Sequence, residues 1–366
     1  TTLMIVDGTY AYTITLADDT FTQLADADLE SYNQVIYQDG YFIFIGTEKF
    51  QISGLFDVTV DALDFATSEG SPDDIVGGVS LERQLYIFNE RTTEIFFNSG
   101  NTDFPFERME GAFLELGCAA KFSIAKTKDH VFFLARDKDG AGLVYKARGA
   151  NMERISTHAI EQAISGYGDI SEAKAWVYQD EGSSFYVLNF VGINTTWVYD
   201  ITTGLWHERT YTNDGAQERD RGYSHAYAYS THLVGDYETG SIYKMSRDYL
   251  SDNGEEIVCF RTFPHVSATG KRLRYHSLEI DMETGTGIDG TGQGTDPQAM
   301  LSFSNDGGYS FGNEIWADIG KIGERRARVK WLRLGQAYDR VFKLQMSDPV
   351  RRVIIGANIS LQVGAS

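Results

Sequence analysis

The sequence predicts an all-β fold, in which a β-propeller of six or seven blades precedes a β-sandwich-like C-terminal domain. The first observation is a repeat: an apolar strand, a tight polar turn and an alternating second strand recur six times. Successive copies begin 38 to 54 residues apart, close to the ~45 residues that a four-stranded blade needs. The second observation is that the repeat stops after Leu250, where short strands of another pattern follow.

The repeats define the first predicted domain, residues 1–250. The six copies begin at Leu3, Tyr41, Leu85, Val131, Phe185 and His232. Turns that favour hairpins are found at Asp39-Gly40, Asp139-Gly140 and Thr203-Gly204. No strand precedes the first copy, so we expect an incomplete first blade and a missing N-terminal piece.

Four segments between the copies have strand-like composition, and we interpret them as outer strands of the blades. They are Gly77–Leu81, Phe122–Lys126, Lys174–Tyr178 and Gly222–Tyr229. A further segment, Asn151–Ile164, carries Ile155, Ala159 and Ala163 at helical spacing. This spacing predicts a helix, or else a loop with a single turn.

Residues 251–366 form the second predicted domain. Seven strands are expected there: Ile257–Phe263, Arg274–Met282, Ala299–Ser304, Glu314–Ile319, Arg326–Leu334, Val341–Ser347 and Val353–Val363. Seven short strands within about 110 residues favour a sandwich. Two further propeller blades would need a similar number of strands, so that alternative stays open.

The chain is strongly acidic, with a net charge of −20 at pH 7. An acidic surface repels the phosphate backbone, so sequence-independent binding to nucleic acid is disfavoured. The charge serves solubility alone or, in the alternative interpretation, forms a wall past which DNA slides without sticking.

Cysteine content and hydropathy indicate the compartment. Cys118 and Cys259 are too few for a disulfide framework and lack metal-ligand spacing. We therefore expect both to be reduced, in a protein assembled in a cytoplasm. No apolar run approaches the ~18 residues of a membrane span, so none is predicted.

The sequence contains no strong catalytic or metal-binding pattern. The segment 137–142 resembles the start of a calcium loop but lacks the acidic residue at the twelfth position, so a hairpin turn is favoured. The histidines, among them His225 and His232, never occur as H-x-H or H-E-x-x-H. Phosphate-binding glycine loops and the G-x-S-x-G pattern are missing as well. We predict no enzyme activity, no metal and no cofactor.

The sharpest local motif is a turn in the second domain. It consists of Ser304, Asp306, Gly308, Ser310 and Phe311. The pattern resembles the Asp-box of sialidases and related propellers, which implies a folding role remote from any active site. We expect the carboxylate to accept hydrogen bonds from turn amides, and the aromatic ring to pack beneath the hairpin.

Positive charge concentrates in one place in this acidic chain. The candidate interface residues are Arg325, Arg326, Arg328, Lys330 and Arg333. On a strand, Arg326, Arg328 and Lys330 would share one face, and the apolar residues between them would share the other. This face is either a solvated surface or a seam of ion pairs with an acidic neighbour, such as a copy of the chain itself.

The C-terminal residues resemble a known family. The motifs are FSNDGGYSFGNE from Phe303, WLRLG from Trp331, DRVF from Asp339, SDPV from Ser347 and IGA from Ile355. In this order they are similar to the C-terminal signature of the packaged-DNA stabilisation protein of short-tailed lambdoid phages, a tail hub or nozzle. The resemblance is concentrated in about 60 residues, and the repeats agree with it in architecture.

The resemblance implies a structural virion protein rather than an enzyme. Members of that family form a ring beneath the portal and its adaptor protein. They help retain packaged DNA, and they carry tailspikes or fibres and a central needle or plug. For this chain it implies a cyclic homo-oligomer, expected to be a hexamer, in the virion tail after assembly in the host cytoplasm. DNA would pass through the lumen without specific binding.

Two other functions stay open on the residues alone. A propeller-type carbohydrate-binding adhesin would stack sugars on exposed aromatics such as Trp197 or Trp206, although their places beside strand ends favour core packing. A sialidase-like glycosidase would need a cluster of three arginines and a Tyr nucleophile. No segment places arginines in the contexts typical of that enzyme, and only one Asp-box is present.

Overall fold

The computed structural model describes residues 2–68, 70–136 and 142–364, and it divides into two compact units. The first unit comprises Thr1–Thr210 and Arg219–Lys244, and the second comprises Tyr211–Glu218 and Met245–Ser366. Strands account for more than half of the described residues. The predicted all-β class is therefore confirmed.

Within the described residues, the first unit is built from six sheets that follow one another along the chain. The first sheet contains β1 (Thr2–Val6), β2 (Ala11–Thr15) and β3 (Thr20–Gln23). The second contains β4 (Gln34–Gln38), β5 (Tyr41–Ile45), β6 (Lys49–Ser53) and β7 (Val60–Thr67). The third contains β8 (Ile75–Leu81), β9 (Gln84–Asn89), β10 (Thr93–Asn98) and β11 (Phe106–Leu114). The fourth sheet contains β12 (Gly117–Cys118), β13 (Ala125–Lys126), β14 (Val131–Arg136), β15 (Gly142–Arg148) and β16 (Asn151–Arg154). The fifth contains β17 (Lys174–Asp180), β18 (Ser183–Phe190), β19 (Thr195–Asp200) and β20 (Leu205–Glu208). A hairpin of β21 (Thr210–Asn213) and β22 (Ala216–Arg219) comes next along the chain, and the sixth sheet contains β23 (Gly222–Ala228), β24 (Thr231–Asp236) and β25 (Ile242–Met245).

The six sequence repeats correspond one to one with these sheets. In the second to sixth sheets, each repeat forms the second and third strands, whereas the first repeat forms β1 and β2. The hairpin predicted at Asp39-Gly40 is confirmed: both residues have positive φ, 51° and 96°, as a type I′ turn requires. Asp139-Gly140 lies outside the described residues.

The interpretation of the segments between repeats as outer strands is wrong. Gly77–Leu81 and Lys174–Tyr178 lie within the first strands β8 and β17, and Gly222–Tyr229 covers the first strand β23 and one turn residue. First strands of consecutive sheets contact one another. They therefore line the inside of the sheet arrangement. These strands look like outer strands in the sequence because close packing on the inside selects small residues. At Gly78, for example, a Cβ would lie 2.6 Å from Ile45 Cδ1 and would clash.

Two further predictions about local structure need correction. Within Phe122–Lys126 only β13 pairs as a strand, because the chain before it forms a short 3₁₀-helix, Lys121–Ser123. The Ser123 hydroxyl donates to Ala120 O at 2.6 Å. The helix expected over Asn151–Ile164 is shorter, since residues 151–154 pair with β15 as β16. Helix α1 spans His158–Ser165.

The second strands β9, β14 and β18 of the first unit are covered on both faces along most of their length. Phe132 packs with the fifth sheet, while its neighbour Phe133 packs with the third sheet, and both are fully buried. The same division holds for adjacent residues of β9, because Tyr86 faces the fourth sheet and Leu85 faces the second. Successive sheets therefore stack face to face, as in a β-propeller.

The second unit contains two main sheets that form a sandwich. Its strands are β26 (Ser251–Asp252), β27 (Glu255–Glu256), β28 (Cys259–Thr262), β29 (Val266–Ser267), β30 (Leu273–Met282), β31 (Gln298–Ser304), β32 (Ile315–Asp318), β33 (Val329–Leu332), β34 (Gln336–Ala337), β35 (Asp339–Met346) and β36 (Ile354–Val363). One sheet has the order β28-β35-β31-β32, and the other joins β33, β34 and β36 to β30.

One apolar core lies between these two sheets. It combines Leu278 and Trp331 from one sheet with Leu301 and Phe342 from the other. Along β30, buried and more exposed residues alternate, as expected for a strand with one face on a core. Two sheets around a single shared core are a sandwich, so the alternative of two further propeller blades is wrong.

Candidate interaction sites

The Asp-box forms a tight hydrogen-bonded turn after β31. The Ser304 hydroxyl donates to Asp306 Oδ1 at 2.6 Å and accepts from the Gly308 N–H at 2.8 Å. The Ser310 N–H donates to Asp306 Oδ1 at 3.0 Å, and its hydroxyl donates to Oδ2. These bonds hold the pKa of Asp306 well below its usual range. Gly308 has φ +98°, a conformation that glycine adopts without strain.

The turn is joined to the sandwich core by a buried arginine that sequence reasoning missed. Arg340, 2% exposed, donates from Nε to Asn305 Oδ1 at 2.8 Å and from Nη1 to Leu334 O. Its guanidinium also lies 4.0 Å from the Phe303 ring centroid. Phe311 is 36% exposed, so its ring is only partly covered. The arrangement holds the hairpin in place and offers no reacting group.

The basic segment is less regular than the sequence indicates. The predicted strand Arg326–Leu334 is shorter, because β33 spans only Val329–Leu332 and Arg325 and Arg326 lie in a turn. The Ala327 N–H donates to Glu324 O at 3.1 Å, so the chain is still turning there. The prediction that Arg326 shares a strand face with Arg328 and Lys330 is therefore wrong.

Two of the five basic candidates are paired inside the sandwich sheet. Glu279 on β30 lies opposite Lys330 on β33. Arg328 donates to the Glu279 carboxylate from Nε at 2.7 Å and from Nη2 at 2.8 Å. Lys330 Nζ lies 3.2 Å from Glu279 Oε2. These two cations lower the pKa of Glu279. The other three, Arg325, Arg326 and Arg333, are exposed and have no side-chain partner among the described residues.

The first unit contains two ion pairs with buried carboxylates. Glu94, 0% exposed, accepts from the Gly70 N–H at 2.8 Å and pairs with Arg108 Nε at 2.9 Å. Asp236 pairs with Arg221 Nη2 at 2.6 Å. Burial would raise the pKa of Asp236, but hydrogen bonds from Arg221, Thr239 and the Glu238 N–H outweigh it and hold the pKa well below its usual range.

Two histidines that are unrelated in the sequence meet in the sixth sheet. His225 Nε2 and His232 Nδ1 are 2.9 Å apart, and His225 stacks on Trp176 with ring centroids 5.1 Å apart. Burial and the neighbouring imidazole lower the pKa of His225. A cavity of about 570 Å³ lies beside them. No group of three or more metal-ligating side chains occurs in residues 2–68, 70–136 and 142–364.

Comparisons with known proteins assign the chain. A family model described as "Bacteriophage P22 Gp10, beta-propeller" matches residues 1–250. A second, "Bacteriophage P22 Gp10, beta-sandwich", matches residues 258–362. The chain belongs to this family. The predicted resemblance to a tail hub protein of short-tailed phages is confirmed, and so is the order of propeller and sandwich.

Other comparisons add less. Among solved structures, the crystal structure of Kluyvelomyces marxianus Hsv2 is similar with a TM-score of 0.39 and 8% identity. That alignment covers 66% of this chain and 68% of Hsv2. No curated protein matches the chain.

The residues named for the alternative functions have structural roles in the P22 Gp10-type fold. Trp197 Nε1 donates to Tyr167 OH at 3.0 Å, and Trp206 Nε1 donates to Ile155 O at 2.8 Å. Both indoles pack against a core cluster, so neither stands free for stacking on a sugar. The calcium-like segment 137–142 lies outside the described residues except for Gly142, which belongs to β15. No helix in the described part of the chain is long and apolar enough to cross a membrane.

Proposed function

We propose that this protein is a non-enzymatic structural subunit of a phage tail, forming a ring-shaped hub or nozzle below the portal and its adaptor. One observation carries the proposal: models of both P22 Gp10 domains match the chain in order, over residues 1–250 and 258–362. We place the propeller in residues 1–250 and the second domain in residues 251–366. Its partners are the adaptor protein, a tailspike or fibre, and the needle or plug, in the virion tail after assembly in the host cytoplasm.

Stacked sheets supply the stiffness that such a subunit needs. The second strands β9, β14 and β18 of the first unit are buried on both faces, and closely packed interiors deform little. A stiff scaffold presents loops to several neighbours at once and needs no catalytic group. This supports a role in holding other proteins together.

Charge distribution supports assembly into a closed ring. A cyclic ring uses a heterologous interface, so one patch on a subunit meets a different patch on the next. Arg325, Arg326 and Arg333 are exposed cations on a chain of net charge −20, and they fit an acidic patch on the neighbouring copy. We propose a hexamer in which DNA passes through an acidic lumen without specific binding.

Sedimentation and negative-stain microscopy of the purified chain with adaptor protein test the ring. We expect cyclic particles in which the association between subunits weakens as the salt concentration rises. The variant Arg325→Gln/Arg326→Gln/Arg333→Gln should associate about tenfold more weakly, the size expected for three exposed pairs. The matched control Arg328→Gln/Lys330→Gln removes cations that Glu279 already neutralises and should assemble normally. Rings unchanged in the triple variant would refute this seam, and monomers under all conditions would refute the ring.

A further inference from the structure

The sixth sheet is joined to the fifth by a different kind of contact from those between the earlier sheets. A cluster of buried apolar residues lies between each earlier pair of neighbouring sheets, with Phe88 and Phe133, for example, between the third and the fourth. None of the clusters formed by residues 2–68, 70–136 and 142–364 includes a side chain of β23, β24 or β25. The fifth and sixth sheets therefore meet without the apolar core that joins the others.

Aromatic and imidazole rings occupy this contact instead. Trp176 and Tyr178 belong to β17 and are only 6% and 8% exposed. His225 of β23 stacks on Trp176, with ring centroids 5.1 Å apart and an interplanar angle of 15°. His232 of β24 lies edge-on to Tyr178, with centroids 5.9 Å apart. Both half-buried histidines of the sixth sheet thus contact the fifth sheet through their rings.

The two imidazoles also form a hydrogen bond with each other. His225 Nε2 and His232 Nδ1 are 2.9 Å apart, so one nitrogen donates its N–H and the other accepts with its lone pair. A first added proton can bind to a ring nitrogen outside this contact and leaves the bond intact. A second proton must bind to the accepting nitrogen, which removes the bond and places two cations against each other. While the contact is intact, the two histidines therefore bind at most one added proton.

The surroundings of the two histidines disfavour their charged form. Six titratable side chains line the cavity beside them, namely Lys126, Lys128, Tyr178, Asp180, Glu181 and Tyr227. Arg209, which follows β20, donates to the Tyr178 hydroxyl at 2.6 Å. With both signs of charge present around it, His225 has its pKa lowered by burial and by the imidazole of His232.

We propose that the contact between the fifth and sixth sheets is an acid-sensitive joint, which opens when His225 and His232 both become protonated below about pH 6. In the open state both imidazoles titrate near the ordinary pKa of 6.5, whereas the intact contact binds at most one proton. The joint is therefore stable above pH 6.5 and loses stability as the pH falls below that value. This property belongs to the folded chain and does not depend on a role in a tail.

Opening should be detectable in the backbone of the sixth sheet. A small sheet that is separated from its neighbour and has no apolar cluster of its own does not remain paired in water. The amides of β23 and β24, which are bonded to each other in the intact sheet, should therefore exchange with solvent whenever the joint opens.

Native-state hydrogen exchange of the 366-residue chain at about pH 7.5 and about pH 5.5 tests the joint. Protection factors remove the intrinsic pH dependence of exchange. Protection in β23 and β24 should fall at least about tenfold between the two conditions, the factor expected when opening binds one additional proton. Strand β18 of the fifth sheet should keep its protection. An equal loss in β18 would indicate general acid destabilisation and would overturn the proposal, as would unchanged protection in β23 and β24.

Substitutions of the two histidines assign the effect. His225→Phe/His232→Phe retains both rings but no titrating nitrogen, so protection of the sixth sheet should become independent of pH over this range. His232→Gln retains a hydrogen-bonding side chain beside a single imidazole and should reduce the loss of protection. The matched control His158→Gln changes a side chain that is 97% exposed on α1 and should behave like the wild type. A loss as large as that of the wild type in either variant of the pair would overturn the proposal.

Discussion

Strands of the two units differ in how many of their faces are covered. In β14, the adjacent residues Phe132 and Phe133 are both fully buried and belong to different core clusters. In β35, Phe342 is buried in the sandwich core, whereas its neighbour Lys343 is only partly covered. At these positions, stability therefore depends on both adjacent residues of β14 and on only one of the two in β35.

The largest expected effect tests this difference at adjacent residues. Phe132→Ala and Phe133→Ala should each lower the free energy of unfolding of the first unit by about 4 kcal/mol, because each leaves a cavity in a separate core. Phe342→Ala should cost the second unit a similar amount, and Lys343→Ala less than about 1 kcal/mol. Chemical denaturation of the four variants measures this. A loss below about 1 kcal/mol for either Phe132→Ala or Phe133→Ala would contradict coverage on both faces.

A second comparison contrasts the buried carboxylate of Glu94 with the partly exposed carboxylate of Glu279. Arg108→Met leaves Glu94 buried without its counter-charge and should lower the stability of the first unit by about 3 kcal/mol. Arg328→Met is the matched change in the second unit. It should have little effect, because Glu279 keeps Lys330 and access to water. Similar losses of unfolding free energy in the two variants would contradict the distinction between the two carboxylates.

The pH dependence of the first unit sharpens the same point. The pKa of Asp236 in the fold lies below the ordinary 3.8, so its ion pair stabilises the fold above that pH. The stabilisation is lost as pH falls from 3.8 through the lower pKa of the folded state. Arg221→Met should therefore destabilise the protein at neutral pH, and the difference from wild type should shrink below pH 3.8. The loss of stability at neutral pH should be smaller than that caused by Arg108→Met, since Thr239 and the Glu238 N–H still donate hydrogen bonds to Asp236. A difference that stays constant from neutral to strongly acidic pH would exclude this linkage.

The reactivity of the two cysteines compares a buried thiol of the first unit with an exposed thiol of the second, without any substitution. Burial raises the pKa of Cys118 to about 11, so its thiol should resist alkylation at mildly alkaline pH until the first unit unfolds. Cys259, exposed on β28, should react in the native protein. Timed labelling followed by mass spectrometry distinguishes the two thiols. Native labelling of Cys118 at a rate like that of Cys259 would show that the first unit opens readily.

The repeats could be predicted from the sequence because second strands covered on both faces are almost continuously apolar, as in the run Leu85–Phe88 of β9. First strands were misassigned, because close approach at the inside of the sheets selects small residues such as Gly78 rather than an apolar pattern. The candidate site was predicted less completely. Glu279 pairs with Arg328 from 49 residues away, and no local pattern reveals such a partner.

Tertiary pairing also explains what sequence reasoning missed elsewhere. His225 and His232 are brought together by a hairpin, at a spacing that matches no metal-binding motif. Arg340 lies within a recognised family motif, yet its bond to Asn305 of the Asp-box turn becomes visible only in the folded sandwich. Secondary structure could be read from periodicity, whereas charge compensation depends on contacts distant along the chain.

The most direct test of the central claim is a cryo-EM map of the tail of the phage that encodes this chain. We predict a ring of about six copies on the tail axis below the adaptor, with the sheets of the first unit stacked as described. A tail that lacks the chain, or that holds it as an isolated copy away from the axis, would contradict the account.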